Sequence, residues 1–511
     1  MGTPGRSKPL SRASGLPWWP LLLIAVAAWG LRVAGFLHRH GALGPPVDYD
    51  EGVYFSAAAL LSHGLLPYRD YFFAHPPGIA LLWAPLAALA RGVDVATAFA
   101  VVRWCVPVLG ALSAALSGRI AQERWGTRAG VVAALAYALY PEALNAERGI
   151  FLEPWLNLVC LSFAWVWLRP SEGIAARRRD IAAGALLATA CALKLTAGVW
   201  VVAAVVACGV VGAWRRVART VGTAGVVGLV IVGPFLALAP GPVVDGLLRF
   251  QLLRPPDGEL SASRRMVSML AEGHAGVAAL GLLGLVVALV RWRRDEALAE
   301  RLFGAAWLLT VATFLSARSY WVHYNASLAP TTALLAGLGA SVVRSWASAR
   351  PRWVGWGATA LVGLAVLATL PDALRQGRTE APWLVEMGRA VRASVPETAA
   401  LCAFEPAWGI AGGRLPGVPV GTPALVDPYG LMLHDALGAT ERFATATAAF
   451  EHEGTQRTIR PLLERCDALV LQWRGEWQLS DTSEHWVREH FTQEGPLWRR
   501  TLGSEVRHSP P

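Results

Sequence analysis

Apolar segments of about twenty residues, the length that crosses a bilayer, recur through the first three quarters of this chain with short arginine-bearing loops between them. A backbone crossing hydrocarbon finds no water for its N–H and C=O groups, so such segments must be helical. Composition agrees: 54% of the 511 residues are hydrophobic, 16% are charged, and mean hydropathy is +0.41. The chain reads as a polytopic α-helical membrane protein. Its net charge of +10 comes almost wholly from arginine, since Lys8 and Lys194 are the only lysines. Much of that charge lies in short loops, which points to membrane topology and away from nucleic acid.

The basic loops order the spans. Arg6, Lys8 and Arg12 precede a first apolar stretch at 16–37, and the short stretches 119–128, 169–179, 215–219, 291–301 and 344–352 are basic. The positive-inside rule puts all of them in the cytoplasm. About eleven spans result, near 16–37, 96–118, 129–146, 153–168, 181–194, 196–212, 221–240, 275–290, 302–316, 325–343 and 353–371. An odd count with the N-terminus inside leaves the C-terminus outside. A cleaved signal peptide ending near Ala25-Val-Ala27 is the alternative for the first stretch, but the apolar run is long for one.

Outer loop 38–95 carries three carboxylates within four residues, in Asp48-Tyr-Asp50-Glu51-Gly-Val-Tyr54. Glu51–Ser62 reads as an amphipathic helix and Gly78–Ala90 as an apolar segment too short to cross, both expected at the outer surface. Pro67-Tyr68-Arg69-Asp70 and His75-Pro-Pro-Gly78 break the chain between them. A purely structural role for the acids is solvation of the loop, with Asp50 as N-cap of the following helix.

The order Asp50-Glu51-Gly-x-Tyr54, then Gly64-x-x-Pro67-Tyr68-x-Asp70, then His75-Pro-Pro-Gly78 resembles the first outer loop of the C-type glycosyltransferase superfamily. The bacterial branch with protein mannosyltransferase-like and aminoarabinose-transferase-like enzymes is the nearest in pattern. The resemblance extends in layout over about 16–345, including Glu147-Arg148 and Glu153 in the second outer turn, Lys194 at an outer helix end, and His323-Tyr324 before a late span. It implies transfer of a sugar from a polyprenyl-phosphate carrier to an envelope lipid, glycan or protein acceptor at the outer face of a bacterial cytoplasmic membrane.

That chemistry asks for one carboxylate to take the proton of the attacking hydroxyl. The leaving phosphate is already stable as an anion, so a second carboxyl acid of the glycosidase kind is not required. Cations must hold it. Asp50 matches the family's catalytic acid, with Glu51 and Asp48 in reserve, and Tyr54, Tyr68, Asp70 and His75 belong to the same motif. Glu147, Arg148 and Glu153 either position the acceptor or pair among themselves to fix their turn. Lys194, flanked by apolar residues, either snorkels to the interface or meets a phosphate. Arg265 in outer loop 241–274 and Arg318 and His323 before a late span are further candidates for the carrier phosphate, set against a neutralised loop and an interfacial anchor. Asn325-Ala-Ser327 matches a glycosylation sequon but opens a span and is discounted.

Residues 372–511 are more polar and long enough to bury a core, which separates them from a membrane domain at 1–371. Short strands are expected at Ala399–Phe404 and Ala468–Trp473, flanked by helices at Trp383–Ala393 and Thr440–Phe450, giving a small extracytoplasmic α/β domain. Cys402 and Cys466 lie near those strands and read as buried free thiols, with a disulfide as the alternative in an oxidising compartment. Cys105, Cys160, Cys191 and Cys208 read as apolar fillers within spans. Asp48, Asp50 and Glu51 offer hard oxygens to a divalent ion, but their spacing is not a calcium loop and a metal is not signalled. Other function classes are a transporter or flippase of a lipid-linked glycan, which should show paired broken helices at mid-membrane, and a non-catalytic scaffold in which Asp50 is dispensable.

Overall fold

The computed structural model describes residues 17–258, 260–439 and 442–501; Arg6, Lys8, Arg12, Leu16, Glu259 and Thr440 lie outside them. Among the described residues six helices are long and apolar enough to cross a membrane: Trp19–Leu37, Val95–Trp125, Trp214–Leu238, Leu298–Ser316, Val322–Ser348 and Arg352–Gln376. The pair Ala262–Leu270 and Ala275–Val290, bent by 95°, makes a seventh if counted as one span. The count of about eleven is not reached on this criterion. The other expected spans do fold as helices, but Pro141 splits 129–146 into Thr127–Ala138 and Pro141–Ala146, and Gly198–Gly209 stops short. Glu153–Leu168 has 16 residues, and Gly173–Leu193 carries Arg177, Arg178, Arg179 and Asp180 within its length.

The 31-residue helix Val95–Trp125 runs through the centre, packed against Trp19–Val33, Thr127–Ala138, Glu153–Leu168 and Ala329–Ser348. At the far margin, Trp214–Leu238 and Arg352–Leu367 leave Val226, Leu229, Val230, Trp353 and Trp356 exposed, as faces turned to hydrocarbon would. Charges inside this body meet acids or backbone carbonyls, as Arg301 does at the Ala207 and Arg294 carbonyls. Arg32 of the first span meets Glu147 at 2.5 Å, both side chains fully buried, and Tyr137 donates to Glu147 at 2.6 Å.

The acidic loop folds as helix Tyr49–Leu61. Asp48, not Asp50, is its N-cap: the Asp48 carboxylate accepts from the Asp50 N–H at 3.2 Å, and the Glu51 carboxylate accepts from the Asp48 N–H at 3.2 Å. Every residue from Glu51 to Leu60 is buried, so the amphipathic surface helix expected there is corrected. One side packs on Gly78–Ala87 and another on Pro406–Ala411 from the C-terminal region. At Gly52 a Cβ would stand 2.4 Å from the Ala407 nitrogen, so only glycine permits this approach.

The C-terminal region holds a four-stranded sheet among short helices. Strands β1 (Leu401–Ala403), β2 (Ala468–Val470), β3 (Phe491–Glu494) and β4 (Leu497–Arg500) lie in the order β1-β2-β4-β3, with β1 and β2 parallel and the other pairs antiparallel. The expected strands sit where β1 and β2 form, although Gln472 and Trp473 already belong to helix Gln472–Gln478. Helix Trp383–Ser394 matches its expected position, and the second helix begins only at Ala446. Cys402 and Cys466 form a disulfide with Cα atoms 6.0 Å apart, which corrects the reading as free thiols. Cys402 on β1 faces the residue two before β2, within bridging distance.

Candidate active site

Helix Tyr49–Leu61 separates its three acids. Asp48 is spent on the cap. Glu51 turns inward, where its carboxylate meets Arg103 at 3.0 Å and accepts the Ile150 N–H at 2.8 Å. A Cβ at Gly149 would come within 2.6 Å of that carboxylate, so the second outer turn closes directly over it. Glu51, held in reserve as a base, is thus a buried structural acid.

Asp50 points elsewhere. Its carboxylate is 28% exposed, accepts from the Tyr54 hydroxyl at 3.2 Å and lies 4.0 Å from His323 Nε2, and among the described residues no lysine or arginine pairs with it. Burial, followed by the negative charges of Asp48, Asp427 and Glu153, pushes its pKa up to about 8. A carboxyl group so placed gives up its proton as pH rises through about 8, and once ionised it is a stronger base toward a hydroxyl than an ordinary carboxylate.

Around Asp50 four distant segments converge. His75 stands 3.4 Å from the Tyr54 hydroxyl, its backbone carbonyl accepting from Tyr68. Burial, then the charges of Lys194 and Arg254, lower its pKa to about 3, so it is neutral. Lys194 occupies the break between helices Gly173–Leu193 and Gly198–Gly209, donates to Glu153 at 2.6 Å and lies 3.9 Å above the Tyr324 ring. His323 rides on the 3₁₀ segment Val322–Leu328, against Phe151, with ring centroids 5.2 Å apart. That segment is fixed by a closed triangle: Tyr320 donates to Asn325 at 2.6 Å, Asn325 to Ser268 at 3.1 Å, and the Ser268 and Tyr320 hydroxyls lie 2.8 Å apart. The sequon asparagine is therefore buried in a bonding network.

The remaining sequence candidates are placed as follows. Glu147 pairs with Arg32, and Arg148 caps the chain at the Gln376 and Thr379 carbonyls, so neither expected pairing within that turn forms and neither side chain faces Asp50. Arg265, a candidate for the carrier phosphate, instead donates to the Phe314 and Ala317 carbonyls at 2.9 and 2.7 Å, closing the C-terminal end of Leu298–Ser316. Asp70 accepts the Leu66 N–H at 2.6 Å and pairs with Arg69, holding its own turn. Tyr68 is buried and serves as the hydroxyl support of His75, and Arg318 is exposed.

Several residues were not foreseen. Asp427 caps helix Pro428–Asp435 and accepts from the Tyr49 hydroxyl at 2.7 Å, and Tyr429 donates to Asp257. Arg474 pairs with Glu405 at 2.9 Å and covers the Tyr49 ring at 4.4 Å. Arg254 is half-buried, and its charge reaches His75, Asp427 and Tyr429. Asp427-Pro428-Tyr429-Gly430 is legible as a capped helix start, but nothing in the sequence links it to a loop almost 380 residues earlier. Asp48 is the exposed helix cap and Glu51 is committed to Arg103, so Asp50 is the one partly buried acid of the trio, and among the described residues no set of three His, Cys, Asp or Glu side chains converges to hold a metal. A divalent ion bound by the trio does not fit this donor set.

No family model matches the sequence, and no curated protein matches it. Solved structures do match. ArnT from Cupriavidus metallidurans bound to undecaprenyl phosphate aligns with a TM-score of 0.58 and 15% identity, over 77% of this chain and 84% of that one. The oligosaccharyltransferase AglB from Archaeoglobus fulgidus, in complex with an inhibitory peptide and a dolichol-phosphate, aligns with a TM-score of 0.58 and 12% identity, over 95% and 74%. The Archaeoglobus fulgidus oligosaccharyltransferase complex with Zn and sulfate gives 0.61 and 13%, over 92% and 71%. Across this breadth of the chain, the fold is shared with these structures.

Proposed function

We propose that this protein is an inverting glycosyltransferase that moves a sugar from a polyprenyl-phosphate carrier to an acceptor hydroxyl at the outer face of the membrane. Asp50 carries the reading: Glu51 is committed to Arg103 and Asp48 is an exposed helix cap, whereas Asp50 is partly buried, unpaired by arginine or lysine among the described residues, and raised in pKa to about 8. Solved structures of the same fold hold undecaprenyl phosphate or dolichol-phosphate, which supports a carrier of that class.

In the proposed step Asp50 takes the proton of the acceptor hydroxyl as its oxygen forms a bond to the anomeric carbon and the bond from that carbon to the phosphate oxygen breaks. Polyprenyl phosphate leaves as an anion and needs no proton. Lys194 and Arg254 supply positive charge on the side of the site facing His75. Neutral His75 and Tyr54 orient Asp50, and Glu153 holds Lys194. The topology that goes with this reading has about eleven crossings, the shorter helices Thr127–Ala138, Glu153–Leu168, Gly173–Leu193 and Gly198–Gly209 included. It places the N-terminus in the cytoplasm and the region from 372 onward outside, in a bacterial cytoplasmic membrane. Membranes supplied with a polyprenyl-phosphate sugar should transfer it, and Asp50→Asn should abolish transfer with insertion and folding intact. Retained transfer would remove Asp50 from the base role, and passage of the glycolipid across the bilayer unaltered would replace the transferase by a transporter.

A further inference from the structure

Beside Asp50 lies a set of aromatic faces that the transfer chemistry itself does not use. Two residues past strand β2, Gln472 opens helix Gln472–Gln478 as a non-glycine residue at φ +47°, and the next side chain, Trp473, is 56% exposed. Trp473 stacks with Trp477 at 6.2 Å between ring centroids and 27° between planes, and Trp477 is tilted by 31° against Tyr429 at 5.7 Å. Arg474 ties this platform to the base, since its guanidinium sits 4.4 Å from the Trp473 ring and 4.4 Å from the ring of Tyr49, the residue before Asp50. Polar groups rim the aromatic faces: Asp427 on Tyr49, Asp257 on Tyr429, and Glu405 on Arg474.

A large exposed tryptophan backed by a second one, on a turn held in a disfavoured backbone conformation, has a cost that packing alone does not repay. An aromatic face carries negative charge density and attracts weakly positive C–H groups. A pyranose ring presents such C–H groups on its face and hydroxyls around its edge. The platform with its rim of carboxylates and guanidinium matches both, whereas an acyl chain would have no use for the rim.

We propose that Trp473, Trp477 and Tyr429 form an acceptor subsite on which a sugar ring stacks, so that the acceptor of this protein is a carbohydrate whose free hydroxyl is delivered past Tyr49 to Asp50. This rests on the transferase reading for the role of Asp50, but binding tests it apart from catalysis. The full-length protein in nanodiscs is titrated with chitotetraose, maltotetraose and mannotetraose, with a serine-containing tetrapeptide as contrast, and binding is followed by saturation-transfer NMR. At least one oligosaccharide should bind and the peptide should not. Trp473→Ala should weaken that binding about tenfold or more, Trp473→Phe should restore most of it, and Asp50→Asn should leave it unchanged. Because Trp473 is exposed, the alanine variant should keep its thermal midpoint. If none of the oligosaccharides binds, if Trp473→Ala binds as well as the parent, or if that variant changes only the partition of the protein into bilayers, as an interfacial anchor would, the subsite is refuted. Oligosaccharide binding without any transfer would overturn the transferase and leave the subsite standing; transfer to a peptide or lipid without oligosaccharide binding would do the reverse.

Discussion

Adjacent carboxylates with opposite duties make a sharp test at the scale of the residue. Asp50 is held at a pKa of about 8 against an ordinary 3.8, so the folded state keeps a proton that the unfolded chain releases. Stability therefore falls as pH rises across that interval and levels off above it. Asp50→Asn removes the penalty and should raise the thermal midpoint at pH 8 while ending transfer. Glu51 faces Arg103 in a buried pair, and Glu51→Gln leaves the guanidinium without its counter-ion, at a cost of about 3–5 kcal/mol. The two variants should move thermal unfolding in opposite directions, and a shared direction would show that the acids are not divided as described. The pH profile carries the same assignment. As a base Asp50 works ionised, so kcat/KM should climb with pH and reach a plateau above about 8. The Tyr54 hydroxyl stabilises the ionised form, so Tyr54→Phe should displace the profile to higher pH.

Contact without side chains governs the elements around the site. Helix Tyr49–Leu61 touches the C-terminal region at Gly52, and the Pro-Pro-Gly turn touches the end of Gly173–Leu193 at Gly78, where a Cβ would stand 2.4 Å from the Ala192 carbonyl oxygen. Gly52→Ala and Gly78→Ala should each cost about 1–3 kcal/mol by overpacking and lower transfer by shifting Asp50 or His75. Gly222→Ala, with open space around it inside Trp214–Leu238, should be neutral or slightly stabilising in the same thermal assay. These contacts also explain what was legible in the sequence. The helix after the acids, the break at Pro67-Tyr68 and the Pro-Pro-Gly turn follow from capping and proline chemistry, so Asp50, Tyr54 and His75 could be grouped from one loop. Lys194 and Glu153 were each visible as charges in apolar surroundings, but their 2.6 Å contact was not, because pairing depends on how two helices cross. Arg265 was misread for a related reason: charge in an outer loop looks alike whether it meets a ligand or, as here, a helix terminus.

For the whole molecule the sequence conveyed the class and the two compositional zones, but not that the second zone closes over the first. Amphipathicity was expected in Glu51–Ser62 because nothing in the local pattern announces a cover arriving from residues 406–411. The Cys402–Cys466 disulfide staples that cover across a separation of 64 residues, worth about 4 kcal/mol in unfolded-chain entropy. The double variant Cys402→Ala/Cys466→Ala should therefore lower the first thermal transition and reduce transfer, with the protein still inserted; an unchanged midpoint would show that the sheet holds without its staple.

Gly52, pressed against the Ala407 nitrogen, also sets an order of events in time. Helix Tyr49–Leu61 leaves the ribosome hundreds of residues before the Pro406–Ala411 helix that seals it. During that interval the side of the helix that packs on Pro406–Ala411 has no cover, and the candidate base lacks the Tyr49–Asp427 contact that sets its surroundings. Synthesis thus delivers the helix bearing Asp50 first and the segment that packs on it last, so the contacts around Asp50 are complete only once the late segment has docked.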